Sequence, residues 1–168
     1  HCLKHLRETT LDSLSQYANQ LLEVILVLNH DDDPATADHL LEHFELQGQS
    51  ITDESGFNFA RKCNLGAKVS RGEILVFLND DTQLITKNWI DSVVSLLTED
   101  DVACVGGMLI NEDGTVQSCG DLVGSLSANH YDPDPLPENV GDPMQRYVVD
   151  HETCSVSGAF FSCRKSSF

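Results

Sequence analysis

The run Ile74-Leu75-Val76-Phe77-Leu78 passes directly into Asn79-Asp80-Asp81-Thr82, and no other stretch constrains the fold as much. Consecutive apolar residues of branched and aromatic type suit a strand covered on both faces, as in sheets flanked by helices. The carboxylates then emerge at the strand's carboxyl end, the edge where ligands bind in open α/β sheets. Two adjacent carboxylates repel each other unless a cation, a basic side chain or a shared proton relieves them. Mn2+ or Mg2+ suits that need, because such hard ions take oxygen ligands and share them with substrate phosphates. The structural alternative for Asp80 and Asp81 is an acidic turn or a helix cap.

Around this strand the pattern alternates. Leu3, Leu6, Leu14, Ala18 and Leu21 recur at helical multiples, which predicts an amphipathic helix over the first twenty residues. Residues 23–28 (EVILVL) predict a buried strand that ends in a second acidic turn, Asn29-His30-Asp31-Asp32-Asp33-Pro34. That turn serves equally as a ligand site or as a solvated cap for a helix over 36–44. A weak strand near 50–52, a helix over 59–69, the strand at 74–78, a helix over 88–97 and a strand over 102–109 follow. Asn111-Glu112-Asp113-Gly114 has the chemistry of a hairpin turn. Residues 120–150, broken by Pro133, Pro135, Pro137 and Pro143, read as a long irregular segment, and 153–163 as a strand bent near Gly158. The fold class expected is α/β, a mixed and mainly parallel Rossmann-like sheet with helices on both faces.

The length of 168 residues suits one domain with a real core. Ten basic against 27 acidic residues give a net charge of −17, which argues against nucleic acid or an anionic membrane surface as partner. Six cysteines form no CxxC pair and sit mostly among small or apolar neighbours, which favours a reduced, intracellular setting. No apolar run approaches the roughly 18 residues of a membrane span, and the amino terminus has no signal-peptide pattern.

Four of the ten basic residues, Arg61, Lys62, Lys68 and Arg71, lie just before the acidic strand end. The spacing places Arg61, Asn64 and Lys68 on one helical face, suited to a diphosphate beside a bound cation or to pairing with nearby carboxylates. His130, His151 and Trp89 read more simply as structural residues than as catalytic or sugar-stacking ones. Neither a P-loop nor a GxSxG or GxGxxG pattern is present.

Taken together, EVILVLNHDDDPAT, FNFARKCNLGAKVSRGEILVFLNDDT and SGAFFSCRKSSF resemble the family 2 glycosyltransferases of the GT-A fold, in particular their bacterial rhamnosyltransferase-like branch. The first block resembles the loop that holds the nucleotide, with Asn29, Asp31 and Asp33 as candidates and Leu28 where the family usually has an Asp. In the second, Asn79-Asp80-Asp81 stands for the DxD motif with Asn in first place, so the resemblance implies metal coordination by Asp81 with Asp80 beside it. Arg61, Asn64, Lys68 and Asn79 complete the implied donor site, while Gly158 and Ala159 match the acceptor side.

The resemblance implies inverting, metal-dependent transfer of a sugar from a UDP-, dTDP- or GDP-linked donor to a saccharide or lipid-linked hydroxyl acceptor in cell-surface polysaccharide synthesis. The location it implies is cytoplasmic, including attachment at the inner face of the membrane. Against the family pattern, residues 1–168 lack the first strand and the segment bearing the catalytic base, which is expected beyond Phe168. Loss of a central strand would leave sheet edges unpaired and an apolar groove open, and a homodimer or swapped element would cover them. The alternatives are a non-catalytic nucleotide-sugar or cation-binding module and a metal-dependent nucleotidyltransferase.

Overall fold

The chain enters through a π-helix, Leu6–Leu11, that runs into a short α-helix, α1 (Asp12–Ser15). The computed structural model describes residues 6–20, 23–123, 128–130 and 149–168. The wide π turn shifts the helical phase, so Leu6, Leu11, Leu14 and Tyr17 are buried together with the polar Thr10 and Ser13. The single apolar stripe read from the sequence is thus corrected: Ala18 falls in a turn over 16–20, and Leu3 and Leu21 lie outside the described residues.

Strand β1 (Val24–Asn29) pairs in parallel with β2 (Gly48–Asp53), Val24 opposite Gly48 and Asn29 opposite Asp53. Between them runs α2 (Pro34–His43), which starts two residues before the expected position because Asp33 caps it. The Asp33 carboxylate accepts from Ala35 N at 3.3 Å and Thr36 N at 3.2 Å, and Pro34 occupies the first turn where no donor is needed. Ala37, Leu40 and Leu41 form its buried face.

Helix α3 (Phe59–Val69) is capped by Asn58, whose Oδ1 accepts from Arg61 N at 2.9 Å. It leads into β3 (Ile74–Leu78), followed by α4 (Trp89–Leu97). The strand expected over 102–109 is two pieces, β4 (Cys104–Gly106) and β5 (Leu109–Ile110). Between them a side chain at Gly107 would crowd the Phe160 ring at 3.1 Å. The expected turn is present: β5 pairs antiparallel with β6 (Val116–Ser118), and Gly114 takes φ 85°. Strands β7 (Asp121–Val123) and β8 (Ala128–His130) also pair antiparallel, while most of the Pro-rich segment lies outside the described residues.

The last strand, β9 (Phe160–Arg164), lies between β3 and β4 and runs antiparallel to both, so β3 and β4 are parallel to each other. It is shorter than the expected 153–163 strand, because the segment before it turns to β7 instead, where Ser155 bridges antiparallel to Asp121 and Asp121 N donates to the Ser155 carbonyl at 3.1 Å. A 3-10 turn, Lys165–Ser167, ends the chain.

Two apolar clusters cover the sheet. The larger joins the amino-terminal helices, α2 and α4 to β1 and Phe160, and the smaller joins Ala67 of α3 to Leu75 and Cys163. Trp89 belongs to the first, edge-on to Tyr17 and Phe160 at 5.8 Å each. Among the described residues β1 pairs only with β2 and β3 only with β9. Every residue of both strands lines one cavity of about 1310 Å³. This cavity explains why only Leu75 of β3 is buried and Val76 is 37% exposed. None of the helices among the described residues is long and apolar enough to cross a membrane.

Candidate functional site

The acidic end of β3 is held from two sides. Asn79 N donates to the Ala159 carbonyl at 3.0 Å, which joins the Asn79-Asp80-Asp81 turn to the Gly158-Ala159 corner leading into β9. From the other side, the Thr10 hydroxyl reaches the carbonyls of Asn79 at 3.2 Å and Thr82 at 2.9 Å, and Thr9 Oγ1 approaches the Asp80 carbonyl at 3.4 Å. Ser13 Oγ accepts from Leu84 N at 3.2 Å, and Tyr17 OH donates to the Thr86 carbonyl at 2.9 Å. These hydroxyl residues on the amino-terminal helices therefore set the path of residues 79–86. Their signal in the sequence was a row of Thr, Ser and Tyr at positions that an apolar face would otherwise fill.

At the end of β1, the three acids take different tasks. Asp32 accepts from both the backbone N (2.9 Å) and the side-chain amide (3.0 Å) of Asn29, closing the turn. Asp33 caps α2, and the Thr36 hydroxyl and backbone bonds hold its carboxyl below the usual range despite desolvation. Asp31 is exposed beside His30, at 3.8 Å.

On α3 the face formed by residues 61, 64 and 68 points away from the cavity. Arg61 forks onto Asp53 at the end of β2, with Nε at 3.1 and 3.0 Å from the two oxygens and Nη2 at 2.9 Å from Oδ2. That guanidinium holds the Asp53 carboxyl below its ordinary value, against the desolvation that would raise it. Asn64 and Lys68 are exposed and line no part of the cavity. Lys62 does line it and donates from Nζ to the Val27 carbonyl at 2.9 Å. The face of α3 toward the strands is the one with small residues, Cys63, Gly66 and Ala67, where a side chain at Gly66 would meet Val27 at 3.3 Å.

Of the residues expected at a site, Asn29, Asn79, Asp80, Gly158 and Ala159 line the cavity, joined by Asp32. Asp31, Asp33, Arg61, Asn64, Lys68 and Asp81 do not. Lys62, one of the four clustered basic residues, lines it too, as do Phe57, Phe59 and Gln117, which the sequence did not single out.

Among the described residues no group of three or more His, Cys, Asp and Glu side chains gathers to hold a metal ion. Asp80 and Asp81 supply adjacent carboxylates with only oxygen donors. That set fits Mg2+ or Mn2+ held by one or two protein carboxylates, with substrate oxygens and water completing the shell.

A family model described as Glycosyl transferase family 2 matches residues 3–168. The chain is 31% identical over 165 residues to the O-antigen biosynthesis protein RfbC of Myxococcus xanthus, covering 97% of this chain and 13% of that protein. It is 31% identical over 127 residues to the uncharacterized protein y4gI of Sinorhizobium fredii, covering 73% of this chain and 14% of that protein. The chain thus spans well under two thirds of the length of these curated relatives. The mannosyltransferase PcManGT from Pyrobaculum calidifontis, solved in complex with GDP-Man and Mn2+, superposes with a TM-score of 0.54 at 22% identity. That match covers 63% of this chain and 32% of the other, and it shows a shared fold of the GT-A type.

Proposed function

Because this chain belongs to glycosyl transferase family 2, we propose that it forms the donor half of a transferase site. That site moves a sugar from a nucleoside diphosphate to a hydroxyl acceptor, with inversion. The observation that carries this reading is the acidic turn at the carboxyl end of β3, tied to Gly158-Ala159 through Asn79 N and to the amino-terminal helices through Thr10. Asp81 would hold a divalent cation, Mn2+ or Mg2+, and Asp80 would orient it or the donor. Bound there, the ion would neutralise charge growing on the departing diphosphate. Asn79 and Asn29 would meet the donor, and Gly158 and Ala159 would stand on the acceptor side. A carboxylate base would take the acceptor proton in a single displacement, a role worth about 10²- to 10⁴-fold in rate.

The acceptor would be a saccharide or a lipid-linked one, and the setting the cytoplasm or the inner face of its membrane. The one-sided pairing of β1 and β3 supports a further strand between them, supplied by another segment or by a second copy of the chain.

The test is Asp81→Ala. Asp81 is exposed, so its loss should change stability by no more than about 0.5 kcal/mol while metal-dependent nucleotide binding disappears. Unchanged nucleotide affinity in a folded variant would refute the assignment.

A further inference from the structure

We infer that Phe57 and Phe59 form an aromatic wall that stacks on the base of the nucleotide donor, a step that rests on the donor-site reading above. Phe57 is 77% exposed and Phe59 44%, and both line the cavity with Asn29, Asn79, Asp80 and Gly158, at the carboxyl edge of β1 and β3 and past the length of strand that a further strand would pair with.

What marks the Phe57 ring is that its loop is built to hold it. Asp53, 4% exposed at the end of β2, accepts from Ser55 N at 3.1 Å and from the Arg61 fork. Arg61 Nη2 also donates to the Gly56 carbonyl, and Asn58 caps α3 through Arg61 N. Polar bonds thus fix the chain immediately before and after Phe57 while its ring stays in solvent. Phe59 rests against Gly158, where an added Cβ would come within 3.2 and 3.4 Å of the ring. Glycine at that corner leaves the ring its place.

A loop whose backbone is fixed before its ligand arrives loses little backbone freedom on binding. The chain carries a net charge of −17, so a phosphate group gains no attraction from its overall field. A neutral planar base can pay no such penalty, and stacking on an aromatic face tolerates any base. Arg61 then acts as a positioning residue for the wall and not as a contact to the diphosphate.

The test is calorimetric titration of the full chain with UDP, dTDP, GDP and pyrophosphate, each with Mn2+. Phe57→Leu should weaken nucleoside diphosphate binding by about five- to 150-fold, the effect of losing one base–aromatic stack, and leave pyrophosphate binding unchanged. Phe57→Trp should restore affinity, and base binding should quench its indole fluorescence. Arg61→Met should lower nucleoside diphosphate affinity alone, with no further loss when combined with Phe57→Leu. Wild-type affinity in Phe57→Leu, or equal loss for pyrophosphate, would overturn the wall and leave the donor site standing. Absence of nucleoside diphosphate binding to the unaltered chain would overturn both.

Discussion

Replacing Gly48 by alanine tests the strand pairing on which the site is built. An alanine Cβ would lie 2.1 Å from the Val24 carbonyl oxygen, 3.0 Å from its carbon and 3.2 Å from Leu41 Cδ1. The nearest obstacle is backbone, so no rotamer change relieves it. To restore even 3.0 Å, the strands must separate locally by about 0.9 Å. A shift of that size would stretch the 2.7 Å bond from Val24 N to the Gln47 carbonyl to about 3.6 Å, past hydrogen-bond range. Overpacking costs about 1–3 kcal/mol and the lost bond about 1 kcal/mol, so about 3 kcal/mol is expected. For a domain of this size that lowers Tm by roughly 6–12 °C. The assay is thermal unfolding followed by circular dichroism, with Gly56→Ala as the control, since nothing lies within 4 Å of a Cβ there. A Gly48→Ala variant that melts with the control would refute the Val24–Gly48 register.

Thr10, Asp33 and Asp53 give three further outcomes. Thr10→Val keeps the shape of a 3% exposed side chain but removes the hydroxyl shared by the Asn79 and Thr82 carbonyls. It should cost about 1–2 kcal/mol in denaturant unfolding and weaken Mn2+-dependent nucleotide binding. Asp33→Ala should lower Tm through loss of the α2 cap and leave nucleotide affinity intact; a loss of affinity would show that Asp33 also meets the ligand. Asp53, lowered chiefly by its Arg61 bonds, contributes stability that is full above about pH 4 and is lost as pH falls through its lowered folded-state value. Asp53→Asn should therefore flatten the acid limb of a stability–pH curve, and an unchanged limb would contradict the pair.

The sequence was most readable where chemistry changes abruptly. The switch from Leu78 to Asn79 located β3 and its acidic end, and Asn111-Glu112-Asp113-Gly114 located the turn between β5 and β6. Family membership followed from the same blocks. Periodicity misled where helical geometry departs from 3.6 residues per turn: the π-helix at Leu6–Leu11 rotates the stripe and brings Thr10 and Ser13 inward. For α3 the helix itself was legible but its rotation was not, because spacing alone does not say which face meets the strands. The small residues Cys63, Gly66 and Ala67 carried that information, since close approach to β1 requires them. Asp53 was hidden because a short polar strand such as β2 shows little period-2 contrast, and only its parallel pairing with β1 extends it to the residue that receives Arg61.

The central question is whether the end of β3 holds a nucleotide through a divalent cation. Calorimetric titration of the chain with UDP, dTDP and GDP, each with Mn2+ and again with chelator, measures this. Saturable binding of a nucleotide that vanishes with chelator is the result expected. Binding that is indifferent to chelator, or no binding to any of the three by a chain shown to be folded, would contradict it.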